Sequence, residues 1–141
     1  MTTGRDDIGF EDPRLSLLNF HVNENYKGEF SGEVNIQLSM HTQRKENDDE
    51  NVNRYFSALK LDIGEESIDF PFYCEIEMSG IFYRNENSNI DEESFANFNT
   101  AAILYSYARP IVSDIVSKSG FPPYNLPFMN FAEEDIEFIN D

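Results

Sequence analysis

One stretch of strict alternation, Ile68–Phe82, constrains the fold of this chain more than any other feature. Ile68, Phe70, Phe72, Cys74, Ile76, Met78 and Phe82 occupy even positions, and Asp69, Pro71, Tyr73, Glu75, Glu77, Ser79 and Ile81 occupy odd ones. Side chains at i and i+2 share a face of a strand, so one face suits a core and the other is acidic and partly aromatic. Pro71 lacks a backbone donor and predicts a local edge or bulge.

Other segments repeat the pattern. Glu33–Met40 puts Val34, Ile36, Leu38 and Met40 on one face, and Tyr55–Ile63 does the same with Tyr55, Leu59, Leu61 and Ile63. Leu15–Val22 alternates less cleanly but also suits a strand. Gly64-Glu65-Glu66-Ser67 is a short turn, which predicts an antiparallel hairpin between the last two long strands. Gln43–Asn53 and Asn85–Glu93 are polar and are expected to be loops. From Ile103 the period changes: Leu104, Tyr107, Ala108, Ile111, Ile115 and Val116 recur at helical spacing, and Val112 widens the apolar face. Gly120 suits the helix end, with Pro122 and Pro123 beyond it. Pro110 leaves two possibilities, a helix that starts near Ser106 or a longer one kinked at the proline. Ala132–Ile139 reads as a short amphipathic helix. Strands first and helices last predict one α+β domain over residues 1–141, with helices on one face of an antiparallel sheet.

Charge narrows the partners. The net charge is −17, which disfavours nucleic acid and anionic membrane surfaces and favours a basic protein surface. Excess acid also keeps soluble a chain that is 14% aromatic, so the acidic strand face has two readings, a solvated surface or a docking site. No run approaches the ~18 apolar residues of a membrane span. The first residues, MTTGRDDIGFEDP, lack the apolar core of a signal peptide, and Cys74 has no second cysteine to pair with. A cytoplasmic protein is expected. His21 and His41 are far apart and have no metal-ligand spacing, and the seven glycines make no phosphate loop. Cys74, alternating into a core, is expected to be an inert thiol rather than a nucleophile. No catalytic residues, metal or cofactor are expected.

Four phrases in chain order carry a family resemblance. Asp7–Pro13, DIGFEDP, resembles D-I-S-F-E-x-P. Phe72–Phe82, FYCEIEMSGIF, resembles F-L-C-E-V-x-x-x-G-I-F. Ile103–Arg109, ILYSYAR, resembles I-L-F-P-Y-A-R, and Gly120–Phe131, GFPPYNLPFMNF, resembles G-T-F-P-x-L-N-L-x-P-V-N-F with one residue fewer before the Phe-Pro pair. All four are phrases of the SecB family, chaperones that hold secretory precursors unfolded. The resemblance implies a four-stranded antiparallel sheet with C-terminal helices packed on one face. It also implies a homotetramer built as a dimer of dimers. Its function would be ATP-independent binding of unfolded precursor proteins and their delivery to the SecA motor of the Sec translocase. A dedicated chaperone for one client, such as an antitoxin, shares the fold and is the alternative.

Residue by residue, the resemblance implies SecA docking at Asp7, Glu11, Tyr73 and Glu75. A client groove would involve Val34, Ile36, Leu38, Phe121, Tyr124, Leu126, Phe128 and Phe131, each of which could instead be ordinary core. Cys74, Ile76 and Met78 match positions that influence assembly in the family. Leu104, Tyr107, Ile111 and Ile115 are the expected interface side of the helix. The chain departs from the family at Tyr73, where an aliphatic Leu is usual. It departs again in having six residues before Asp7, and in a C-terminal helix shortened to Ala132–Asp141.

Overall fold

A computed structural model describes residues 8–26, 28, 35–64, 70–121, 124–132 and 136–139. Asp7 and Val34, as well as Ile68 and Asp69, lie outside the described residues. Six strands occur among the described residues: β1 (Ile8–Phe10), β2 (Arg14–Val22), β3 (Ile36–Lys45), β4 (Val52–Ile63), β5 (Phe72–Asn85) and β6 (Glu137–Ile139). Their order across the sheet is β1-β5-β4-β3-β6, and β2 also pairs with β5. β1 and β2 therefore act as one interrupted edge strand, covering opposite ends of β5.

The expected antiparallel hairpin is present, with Ile63 opposite Cys74 and Val52 opposite Asn85. Gly64 begins the connection at φ 80°, and a Cβ there would stand 2.4 Å from the Phe72 carbonyl oxygen, so no other residue fits. Pro71 sits just before β5, and its carbonyl accepts the Asn23 N–H at 2.9 Å, so its missing donor interrupts no ladder. β2 hides its alternation behind a bulge. Leu15 lies opposite Met78 and Leu17 opposite Glu77, so the extra residue, Ser16, switches the apolar positions from one phase to the other.

Several expectations require correction. Among the described residues the sheet has six strands rather than four, and it is mixed, because β6 runs parallel to β3. The segment Gln43–Asn53 is not all loop: β3 continues to Lys45 and β4 begins at Val52. Ladder hydrogen bonds carry these polar residues into the sheet where periodicity gave no sign of it. Among the described residues the final segment holds a strand, not a helix. Ile136 and Phe138 are two residues apart and both turn inward, a strand period, and so short a segment nucleates no stable helix in isolation.

Among the described residues one helical segment, rather than several helices, covers the sheet. It comprises α1 (Glu92–Ser94), a π turn (Phe95–Asn99) and α2 (Thr100–Lys118). Asp91 caps it, its carboxylate accepting the Ser94 N–H at 2.8 Å, and that bond holds the carboxyl below its usual range. In the π turn the Thr100 N–H reaches back to the Phe95 carbonyl. The Ala96 carbonyl instead accepts the hydroxyls of Thr100 and, from β3, Thr42, each at 2.9 Å. The turn thus ties the helix to the sheet. Pro110 lies inside α2 on its exposed side, so the helix neither starts at Ser106 nor stops at the proline. Gly120, at φ 91°, follows the helix end.

The core lies between helix and sheet. Phe72, Cys74, Ile76, Met78 and Phe82 from β5 meet Tyr55, Leu59, Leu61 and Ile63 from β4, and Leu104, Ala108, Val112 and Val116 from α2. The even face of β5 is therefore the covered face, as its alternation predicts.

Candidate functional site

Two surfaces carry the candidate residues, one beside the helix and one on the open side of the sheet. The first is a cleft of about 310 Å³ between the start of the helix and the loop that follows it. It is lined by Phe98, Asn99 and Ala102 on one side and by Phe128, Met129, Asn130, Phe131 and Ala132 on the other. The loop is held by main-chain carbonyls: the Tyr105 hydroxyl donates to Pro127 O at 2.5 Å, and Arg109 Nε donates to Leu126 O at 3.2 Å. Leu126 and Phe131 are buried as anchors, and the Phe131 ring stands edge-on to Tyr105 at 5.3 Å. Phe128, between them, is 87% exposed. A Pro-rich loop anchored at both ends holds this phenyl ring in water, where its apolar surface is costly.

Of the eight expected groove residues, Val34 lies outside the described residues and the other seven separate. Leu38, Leu126 and Phe131 are buried in the core, Ile36, Phe121 and Tyr124 are half-buried, and Phe128 is open. Burial pushes the Tyr124 hydroxyl above its ordinary range. Phe121 lies against Phe72 at 5.6 Å, within a cluster that includes Phe20 and Phe70. Sequence reasoning missed Phe98, Ala102 and Met129. Phe95, Phe98 and Ala102 already follow helical spacing, so the helical pattern could have been extended back toward Phe95.

The second surface is the open face of β5. Among the described residues, Glu11, Asp62, Glu75 and Glu77 each have a partner. Glu75 Oε2 lies 2.6 Å from Lys60 Nζ, which raises the lysine's affinity for its proton. The Tyr73 hydroxyl donates to Asp62 at 3.0 Å, and Ser16 donates to Glu77 at 2.9 Å. Glu11 accepts the Tyr83 hydroxyl at 2.7 Å, a bond that keeps the phenol protonated to higher pH. The Glu11 N–H pairs with the Ile81 carbonyl, six residues along the strand from Glu75. At ~3.3 Å per residue their backbones are about 20 Å apart, so Glu11 and Glu75 share a face but not a cluster.

Cys74, Ile76, Met78 and Leu104 are fully buried within the chain, so any influence of theirs on assembly passes through packing rather than contact. Tyr107 is exposed, and Ile111 and Ile115 are half-buried, Ile111 packed against the core. Burial, then the charges of Asp62 and Glu75, push the Cys74 thiol up to about 11. His21 lies opposite Tyr73 and so projects on the other side of the sheet from Cys74. Among the described residues no cluster of metal-ligating side chains occurs, and no helix is long and apolar enough to cross a membrane.

Comparison with known proteins bears on the family and the fold. The family model for SecB, preprotein translocase subunit SecB, matches residues 9–133. The chain is 32% identical over 127 residues to the protein-export protein SecB of Nitrosococcus oceani, spanning 89% of this chain and 71% of that one. It is 29% identical over 120 residues to the protein-export protein SecB of Ruegeria pomeroyi, spanning 83% and 70% respectively. A solved structure of a Mycobacterium tuberculosis SecB-like chaperone, in complex with a ChAD peptide from an antitoxin, superposes with a TM-score of 0.58. That match covers 89% of this chain and 92% of the other at 17% identity, a likeness of fold.

Proposed function

The chain belongs to the SecB family, and from that premise we propose that it is a holdase that binds unfolded precursor proteins without ATP and passes them to SecA. The observation that carries this reading is the cleft beside Phe128, where an aromatic ring is held open to solvent next to Phe98, Ala102 and Met129. Covering an exposed Phe side chain yields at most about 3 kcal/mol. Association itself costs about 4–15 kcal/mol, so one cleft holds a client weakly. Several clefts acting together overcome that cost through effective concentration, which is the role we assign to a homotetramer. Tyr107, Ile111 and Ile115 form its interface in this proposal. A cytoplasmic chaperone built as one domain completes the picture.

SecA docking would use the open face. Glu11, Tyr73 and Glu75 are spread along it, with Asp7 just before β1 in sequence. A basic segment must therefore lie extended along β5 to reach both ends, and must displace Lys60 from Glu75. That ion pair favours a second reading, a chaperone dedicated to one client that does not dock SecA. The mycobacterial SecB-like chaperone bound to an antitoxin peptide is a precedent for such a role.

Light scattering with an aggregation assay tests the holdase. A tetramer that suppresses precipitation of a denatured precursor supports it, and a monomer without that activity rejects it. Calorimetry with the SecA C-terminal tail separates the two readings. Binding by the native chain that Glu75→Lys abolishes supports docking, and no binding by the native chain supports the dedicated chaperone.

A further inference from the structure

We infer that Asn99 reads the main chain of an extended client segment laid across the cleft beside Phe128. The inference rests on the holdase reading and names what the cleft recognises, the peptide group itself, whatever the client's sequence. Asn99 ends the π turn and lines the cleft together with Phe98 and Ala102. The residue is half-buried, and its carboxamide makes no capping bond and meets no other hydrogen-bond partner among the described residues. Asparagine is a poor helix former because its side chain competes for backbone groups. Here it neither caps nor bonds, so it does nothing for the helix that Ala would not do better.

The other amide in the cleft is already engaged. Asn130 Oδ1 accepts the Ala132 N–H at 3.1 Å and so shapes the loop. Of the side chains that line the cleft, Asn99 alone keeps both a donor and an acceptor free among the described residues. Ala102, three residues on and small, leaves room beside the amide for a main chain to approach. The apolar walls supply the need for such a group. An extended segment lying on Phe98, Phe128 and Met129 loses water from its peptide groups as well as from its apolar side chains. A peptide N–H or C=O left dry and unpaired there weakens binding. In an extended residue the N–H and C=O point to the same side, and a carboxamide offers one acceptor and one donor to match them. Every client residue except proline carries that pair, so the recognition needs no particular sequence.

Two labelled, neutral ten-residue peptides test this by fluorescence anisotropy, one alternating Leu with Ser and one alternating Phe with Thr. The native chain is compared with Asn99→Leu, close in size but without polar side-chain groups, with Asn99→Ala, and with Phe128→Ser. A cleft that works by apolar burial alone loses nothing, or gains, in Asn99→Leu. Main-chain reading predicts the opposite: Asn99→Leu and Asn99→Ala each weaken binding about tenfold, equally for both peptides. Neither should lower the melting temperature, because the amide holds no bond among the described residues. Equal or tighter binding by Asn99→Leu overturns the inference. So does a loss confined to one peptide, which marks a side-chain contact, or a fall in melting temperature of both variants, which marks a structural role. Phe128→Ser separates these results from the holdase reading. If it weakens binding while the Asn99 variants do not, the cleft stands and the role of the amide falls. If Phe128→Ser leaves binding intact, or no form binds either peptide, the cleft reading fails and this inference with it.

Discussion

The two faces of β5 are built from one alternating stretch and do different work. On the covered face Phe72, Cys74, Ile76, Met78 and Phe82 are almost wholly removed from water. On the open face Tyr73, Glu75 and Glu77 are half-buried, and each meets a polar partner from another strand or from β2's bulge. Apolar burial is additive and strong, whereas exposed polar pairs exchange one set of hydrogen bonds for another. Stability should therefore follow the covered face, and the open face should be free to change with little effect on folding.

Four measurements can break or sharpen that contrast. Phe82→Ala removes a ring packed against Phe95 and Phe10, and should cost about 3–5 kcal/mol in urea unfolding. A loss under about 1 kcal/mol would mean that the covered face does not set stability. The Cys74 thiol, pushed from 9.0 up to about 11, provides the next test. It is neutral in the fold while the unfolded thiol ionises. Its contribution is thus complete below pH 9 and is lost as pH rises toward 11. The native chain should lose on the order of 2 kcal/mol more than Cys74→Ala across that window. Parallel curves would show that the thiol is not desolvated. Thr42→Val removes the β3 hydroxyl donor from the π turn and should cost about 1 kcal/mol. No change would mean that Thr100 alone suffices for the Ala96 carbonyl. The smallest effect is expected from Glu75→Gln, under about 1 kcal/mol and shrinking with added salt, because its Lys60 pair lies near the surface. A larger loss would make the open face a structural element.

Much of this was legible in the residues. The alternation of Ile68–Phe82 anticipated both faces of β5, and Leu104, Ala108, Val112 and Val116 anticipated the buried stripe of α2. The candidate site was less legible. Phe128 and Leu126 look alike in sequence, yet one is 87% exposed and the other 1%. Their difference comes from where Tyr105 and Arg109 fasten the loop. The bulge at Ser16 concealed β2 for a similar reason, since a bulge is defined against its partner strand.

By itself the sequence determined the alternation of β4 and β5, the helical stripe of α2, and the acidic excess of the whole. Those properties depend on neighbours two to four residues away. Only the tertiary structure decided that Lys60 sits on Glu75, that Phe98 walls the cleft, and that the last strand runs parallel along β3. These pairings join residues distant in the chain, and a strand edge or a carboxylate accepts any suitable partner that the fold brings within reach.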